Sequence, residues 1–402
     1  MPIPTDTPPP QPSTRLGLPA TVVALGVVSL LTDLSSEMIY PLLPVFLTTV
    51  LGAGPQALGL IEGVAESTAS LLKVLSGRWS DRARRRKPLV VLGYSLAGAV
   101  RPLIGLATTW PAVLLLRFAD RVGKGLRTSP RDALIADATP PAQRGEAFGL
   151  QRSLDHAGAV AGPLVAAALL TFAGLSLRAV FLLAVVPAAA VVVVLFGWVR
   201  EIPRGTVGSS ANIVGAWREL GRPMHVVLAA LLLFTLGNST DAFLLLRLSD
   251  AGVSAAGVAL LWSAFHVVKM LSTYACGRVS DRLGRRVIVT AGWALYALIY
   301  LAFAVVGSRA AVIATFLTYG LYYGLTEPVE RAWVADLAPP NLRGTAFGLY
   351  HGVIGLAALP ASLLFGLLWQ RFGAPVAFFT GAGLALAATV VLALVPRGSP
   401  RP

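Results

Sequence analysis

The stretch GRWSDRARRR at residues 77–86 returns as GRVSDRLGRR at residues 277–286. A second stretch, ALIADATPPAQRGEAFGL at residues 133–150, returns as AWVADLAPPNLRGTAFGL at residues 332–349. The copies are offset by 200 and 199 residues, because residue 277 corresponds to residue 77 and residue 332 corresponds to residue 133. Chance similarity of apolar sequence does not explain the matching Asp, Arg, Pro and Gly positions. The repeat therefore predicts two halves of one fold, packed about a pseudo-two-fold axis with a cavity between them.

Long apolar segments surround these repeats and define the class of fold. Of the 402 residues, 55% are hydrophobic and 13% are charged, whereas about a quarter of an average soluble chain is charged. Apolar runs recur from Leu18 to Val395, and each is long enough to cross a hydrocarbon core of about 30 Å as a helix. The sequence predicts an all-α membrane protein with twelve transmembrane helices, near residues 18–50, 55–77, 88–107, 110–138, 144–172, 176–199, 224–250, 253–277, 286–307, 310–337, 343–371 and 374–396.

These spans form two sets of six, with short polar segments outside them. The first residues are rich in proline and poor in apolar side chains, so they cannot bury a core. We expect a disordered cytoplasmic tail at 1–17, an N-terminal six-helix bundle at 18–199, a cytoplasmic connector at 200–223, a C-terminal six-helix bundle at 224–396 and a short tail at 397–402.

The basic residues are concentrated in short loops. The formal net charge is +14 and the pI is near 10.7. The loops after the second, sixth and eighth predicted helices carry clusters of arginine, and the odd-numbered loops carry at most one basic residue each. The positive-inside rule then places both termini in the cytoplasm of a bacterial-type inner (plasma) membrane. This placement indicates membrane topology and no nucleic-acid partner.

Residues that commonly hold cofactors are missing from the sequence. Cys276 is the single cysteine, so an intrachain disulfide and a cysteine metal site are both excluded. The chain has no phosphate-binding glycine loop and no Cys or His cluster with metal-ligand spacing. We therefore expect no enzyme activity, no cofactor and no metal, an ion gradient as the energy source, and a monomer.

The repeated loop resembles the loop 2–3 signature of the major facilitator superfamily, in which a Gly, an Asp four residues later and a basic cluster follow one another. The resemblance covers essentially the whole chain after the tail, and it implies two pseudo-symmetric six-helix bundles. It also implies a cytoplasmic latch between the halves, in which the Asp accepts hydrogen bonds from the N-terminus of a neighbouring helix. The latch residues that the resemblance implies are Gly77, Asp81, Arg82, Asp137, Gly277, Asp281, Arg282 and Asp336. Plain loop electrostatics remains the alternative.

The fifth predicted helix carries Gly158, Gly162 and Pro163. This pattern is similar to the Gly-x-x-x-Gly-Pro signature of proton-coupled exporters in the same superfamily. Small residues four apart let another helix approach closely, and the proline removes one backbone donor. A simple packing face is the alternative interpretation.

Charged residues within predicted spans are candidates for function, because a charge at membrane depth is costly unless it is paired or faces water. Asp33 and Glu37 on the first helix are four residues apart and share a face, as do Glu62 and Glu66 on the second. These four and Asp155 on the fifth helix are the predicted proton carriers.

The fourth predicted helix carries a basic stripe at helical spacing. The predicted substrate cavity combines this stripe with polar residues of other helices: Tyr40, Arg117, Arg121, Lys124, Arg131, Arg152, Asp241, His266, Tyr323 and Glu327. In one interpretation the carboxylates and the stripe form a buried ion network that fixes packing. In the other, at least one carboxylate exchanges protons while the stripe pairs with it or with an anionic substrate.

Together these features predict a secondary active transporter that couples protons to the efflux of a small amphiphilic molecule by alternating access. Its partners are then the substrate, protons and membrane lipids. Two alternatives stay open: proton-coupled uptake of an anionic metabolite, and a receptor or lipid-handling protein that keeps the fold without transport.

Overall fold

The computed structural model describes residues 17–43, 46–53, 55–201, 213–239, 241–253 and 255–393. The long elements in this part of the chain are all helices, in agreement with the predicted fold class. The predicted tails at 1–17 and 397–402 lie outside the described residues except for Gly17, as do residues 202–212 of the predicted connector at 200–223.

The first half contains six helices within the described residues. They are α1 (Ala20–Glu37), α2 (Pro55–Arg82), α3 (Lys87–Val100), α4 (Trp110–Ala138), α5 (Arg144–Thr171) and α6, which has the two segments Leu177–Leu183 and Val185–Gly197. The prediction of a single span at 18–50 is wrong at its C-terminal end. There α1 gives way to a 3₁₀ turn at Tyr40–Leu42 and a π-helical turn at Phe46–Val50, because Pro41 lacks the N–H that a continuing α-helix uses.

The second half repeats this arrangement in the described residues. It contains α7 with the two segments Ile213–Gly237 and Ala242–Asp250, α8 (Ala255–Leu283), α9 (Arg285–Val305), α10 (Arg309–Leu337), α11 (Arg343–Phe372) and α12 (Ala374–Ala393). The prediction of one continuous span at 224–250 is wrong in two respects. The helix begins earlier and bends at Gly221, whose φ of 77° favours glycine, and it breaks again between Gly237 and Ala242.

Eight of the helices in the described residues are long and apolar enough to cross a membrane. Large apolar side chains such as Phe172, Val186, Phe196 and Val390 are exposed on the outside of the bundle. A contiguous apolar exterior of this kind belongs in lipid. The chain is therefore a multi-pass membrane protein.

The two halves meet along two helix pairs, α2 with α11 and α5 with α8. Glycines let the backbones approach: a Cβ added to Gly149 would lie 2.8 Å from the carbonyl oxygen of Thr273, and one added to Gly348 would lie 3.0 Å from that of Lys73. Small residues at crossing points are typical of helices that associate in membranes. The pseudo-two-fold relation in the sequence is therefore repeated in the packing.

The interiors of the two halves differ in chemistry. The second half is built around stacked aromatic rings, with Phe234 and Trp293 at 4.5 Å between centroids and Tyr296 and Tyr300 at 4.1 Å. The first half instead buries arginines and aspartates, among them Asp120. Aromatic packing supplies apolar burial without counter-ions, so the charged interior of the first half is the unusual one.

Candidate functional site

The end of α2 is joined to the start of α11 by Asp81. Its two carboxylate oxygens accept hydrogen bonds from the backbone N–H groups of Gly344 at 2.8 Å and Thr345 at 2.6 Å. Arg86 donates to Asp81 at 2.8 Å and to Asp137 at 2.9 Å. Free N–H groups at a helix N-terminus favour an anion, so a carboxylate of one half is bound at the helix end of the other.

The second copy has the same geometry with the halves exchanged. Asp281 on α8 accepts from the N–H groups of Gly145 at 2.9 Å and Glu146 at 2.8 Å, at the start of α5. Arg285 pairs with Asp281 and, at 3.1 Å, with Asp336. Two equivalent contacts therefore close the end of the protein that carries the basic loops.

The arginines implied by the family resemblance are corrected by the structure. Arg82 and Arg282 are exposed, and Arg86 and Arg285 occupy the buried positions between the carboxylates. The two loops differ in length, since Gly284 with φ 90° lets α9 begin immediately after α8. The first loop has no such glycine and is longer, so its arginine comes one position later relative to the Asp.

Further arginines at these contacts were missed in the sequence. Arg144 donates to Asp336 at 2.6 Å, and Arg343 donates to Asp137 at 2.6 Å. Each stands directly before the glycine whose N–H binds the opposite aspartate. The signal was present, because both arginines begin the repeated RG-x-AFGL segment.

The predicted exporter glycines on α5 lie against the predicted acidic pair on α1. A Cβ added to Gly158 would lie 3.0 Å from the Cβ of Asp33, and one added to Gly162 would lie 2.6 Å from the Cβ of Glu37. These two carboxylates are half-buried. The small residues thus let α1 present both carboxylates along its contact with α5.

Replacing Gly162 by Ala is expected to push α1 away from α5, because the added methyl group would overlap the stem of Glu37. Overpacking of this kind costs about 1–3 kcal/mol. Thermal unfolding in detergent should show a lower Tm for Gly162→Ala than for the parent. Gly197→Ala is the matched control, since a Cβ there meets nothing within 4 Å; equal Tm values for the two variants would contradict the packing described.

A charged bridge between the halves lies where α5 faces α10. Arg152 donates to the two carboxylate oxygens of Glu327 at 3.0 and 2.9 Å and also pairs with Asp155. His156 lies 3.0 Å from the same carboxylate. Paired guanidinium–carboxylate contacts of this type are strong and directional. Predicted residues from both halves are therefore brought together at one point.

A polar and aromatic group on the second half continues this bridge. Asp241 accepts hydrogen bonds from the hydroxyls of Tyr319 at 3.1 Å and Tyr323 at 3.0 Å. The ammonium of Lys269 lies 3.6 Å from the centroid of the Tyr323 ring, a cation–π distance. His266 packs 5.7 Å from the ring of His156. The predicted cavity residues Asp241, His266 and Tyr323 therefore lie together, and Tyr319 and Lys269 are added to them.

The basic stripe of α4 does not form one cavity-facing surface. Arg117 pairs with Asp120 at 3.4 Å and lies over the ring of Tyr40 at 5.4 Å. Arg131 pairs with its neighbour Asp132 at 2.8 Å. Arg117 and Arg131 were predicted to line the substrate cavity, as part of a stripe that pairs with a carboxylate or with an anionic substrate, and in the structure their guanidinium groups have carboxylate partners. Arg121 and Lys124 lie half-buried on the same helix.

A further ionic contact between the halves, at Asp132, was not predicted. Asp132, which is fully buried, lies 2.8 Å from the ring nitrogen of His351 on α11 and 3.6 Å from Arg331 on α10. Spacing along α4 does not reveal this contact, because both partners come from the other half of the chain. It adds to the charged contacts between the halves at Asp81, Asp281 and Glu327.

The remaining predicted residues are Glu62 and Glu66, and the remaining kind of site is a metal site. Glu62 and Glu66 are positions of α2, but their side chains lie outside the described part of the structure. Among the described residues, no group of His, Cys, Asp and Glu has the arrangement of a metal site.

Comparison with known proteins points to one family. The sequence model of the Major Facilitator Superfamily matches residues 25–251 and 242–402. An uncharacterized MFS-type transporter of Methanocaldococcus jannaschii is 33% identical over 384 residues, covering 94% of this chain and 95% of that protein. The multidrug resistance protein MdtH of an Enterobacter species is 25% identical over 340 residues, covering 83% of this chain and 82% of that protein. The crystal structure of the E. coli fucose:proton symporter FucP has a similar fold, with a TM-score of 0.78 at 13% identity over 94% of this chain and 98% of that chain.

Proposed function

The chain belongs to the Major Facilitator Superfamily, and on that premise we propose that it is a proton-coupled exporter of small amphiphilic molecules. It is a multi-pass membrane transporter, and the finer assignment rests on its charged interior. The relative named as a multidrug resistance protein supports export. The proposed partners are one small-molecule substrate and protons, handled by a monomer in contact with membrane lipids.

The observation that carries the proposal is the environment of Asp33 and Glu37. Within the described residues, neither carboxylate has a salt bridge within 4.0 Å. By contrast, Asp120, Asp132 and Asp155 each pair directly with an arginine. A carboxyl group at membrane depth that lacks a permanent counter-ion suits reversible proton binding. The contact of this pair with Gly158 and Gly162 supports coupling between protonation and the movement of α1 along α5.

The state of the molecule supports alternating access. Both aspartate contacts, at Asp81 and Asp281, are formed at the end that carries the basic loops. With that end in the cytoplasm of a bacterial-type inner membrane, as the positive-inside rule predicts, these contacts close the cytoplasmic side, as alternating access requires of one of its states. Asp81 and Asp281 with Arg86 and Arg285 then form the latch that opens when the cavity turns inward.

The alternative of anion uptake rested on the basic stripe of α4. Its members Arg117 and Arg131 already have carboxylate partners, so they offer less charge to an anionic substrate. A receptor or lipid-handling role gives no functional reason for Asp33 and Glu37 on α1 to lack a salt bridge within the described residues. Both observations favour proton-coupled export over the two alternatives.

Reconstitution into liposomes tests the proposal. With a fluorescent amphiphilic dye as the probe, efflux should accelerate when a proton gradient is imposed, and the double variant Asp33→Asn with Glu37→Gln should lose this acceleration. Exchange of dye without a gradient should survive, because it needs the cavity but no proton. Asp250→Asn changes an exposed carboxylate and serves as the control. Gradient-driven efflux that persists in the double variant would refute proton coupling through this pair.

A further inference from the structure

A small cavity lies inside the first half, away from the contact between the halves. It is lined by residues of four helices, α1, α3, α4 and α6: Thr32, Ser35, Tyr94, Gly98, Arg101, Arg127, Ala188 and Val191. The space open to the centre of a water-sized sphere is about 10 Å³, enough for roughly one particle of that size, whereas a pocket for a drug-sized molecule has roughly 300–1,000 Å³. The cavity is thus too small for the transported substrate and is a separate feature of the fold.

The charged side chains that line the cavity are all positive. The lining includes two guanidinium groups, of Arg101 and Arg127, and no carboxylate. Arg101 is neutralised nearby, since it donates to Asp120 at 2.8 and 3.1 Å and to the carbonyl of Thr32 at 3.1 Å. Asp120 is shared with Arg117 as well. The single carboxylate beside the cavity is therefore already committed to other arginines.

Arg127 forms no salt bridge within the described residues, and the carboxylate that acts on it from a longer distance, Asp120, is bound directly by Arg101 and Arg117. The Arg127 side chain is only 7% exposed, and its buried Nη1 atom lacks a hydrogen-bond partner among the described residues. Its guanidinium lies 4.1 Å from the centroid of the Tyr94 ring. A cation–π contact is weaker than the desolvation cost of a buried ion. The ring alone therefore does not offset the burial of this charge.

We propose that this cavity binds one small inorganic anion of the halide class beside Arg127. The anion would accept a hydrogen bond from the Nη1 donor and bring a negative charge into direct contact with the guanidinium group. Thr32 and Ser35 donate their hydroxyl protons to the backbone carbonyls of Val28 and Ala184, so their oxygens border the site without supplying donors. Bound in this way, the anion would stabilise the packing of α4 against α3 and α6.

Thermal unfolding of the purified protein at constant ionic strength tests the site. Chloride or bromide should raise the Tm relative to gluconate by several degrees, because a ligand that binds only the folded state stabilises it. Arg127→Gln should abolish this difference between the salts. Arg178→Gln should retain it, since Arg178 belongs to the same half but donates to the carbonyls of Gly105 and Ala107 outside the cavity.

Crystals of the unaltered protein grown in bromide provide a second measurement that does not depend on the variant folding. An anomalous peak within hydrogen-bond distance of the Arg127 guanidinium is the expected result. Density without anomalous signal, meaning that a water molecule occupies the cavity, would overturn the inference. Equal Tm values in bromide and gluconate for the unaltered protein would overturn it too.

Discussion

Glu327→Gln is expected to slow gradient-driven transport by about 100-fold. The carboxylate of Glu327 holds Arg152 and His156 of the opposite half at 2.9 to 3.0 Å. Breaking a buried ion pair by removing one partner costs about 3–5 kcal/mol, and each 1.4 kcal/mol is about tenfold in an equilibrium. The side chains of Arg152 and Glu327 are 15% and 19% exposed, so we use the lower end of the 3–5 kcal/mol range.

The effect should fall on the conformational cycle more than on folding. Arg152 keeps Asp155 as a partner within its own half, so the half itself remains neutralised. We therefore expect a small decrease in Tm, because the contact between the halves is lost, and a large decrease in the rate of transport. Glu327→Asp retains the charge and should recover part of the rate, and Glu219→Gln at an exposed position should not change it. Normal transport by Glu327→Gln would mean that the bridge plays no part in the cycle.

Several features of this fold were predictable from the sequence because they depend on local pattern. Apolar length predicted the helices, and the repeat predicted that Asp81 and Asp281 occupy equivalent positions. The helix ends were less predictable. Pro41 and Gly221 were visible, but the sequence does not say how the chain continues beyond a break.

The partners of the charged residues were not predictable, because they come from distant segments. The stripe on α4 was a correct observation about spacing, yet Asp120 meets Arg101 of α3 and Asp132 meets His351 of α11. Which face of α4 turns toward which neighbour is decided by tertiary packing. The contact of Gly162 with Glu37 likewise required the crossing point of two helices, although each residue had been singled out separately.

Asp81→Asn is expected to open the end of the protein that carries the basic loops. The substitution removes the negative charge that two backbone N–H groups and Arg86 share. Hydrogen bonds to a charged group contribute about 1.5–3 kcal/mol each. A loss of about 2 kcal/mol shifts the balance between closed and open states by about 30-fold. Spin labels at the exposed positions Arg84 and Leu283, in a Cys276→Ser background, should report a larger distance between the halves.

The same spin labels distinguish whether Arg86 or Arg82 is the arginine of the latch. If Arg86 positions Asp81, as its contacts with Asp81 and Asp137 indicate, Arg86→Ala should open the latch about as far as Asp81→Asn does. Arg82→Ala changes an exposed side chain of the same loop, so its distance distribution should stay close to that of the parent. The reverse order of effects would restore the assignment that the family resemblance implied. Similar opening in both variants would mean that the summed positive charge of the loop, and not the geometry at Asp81, holds the halves together.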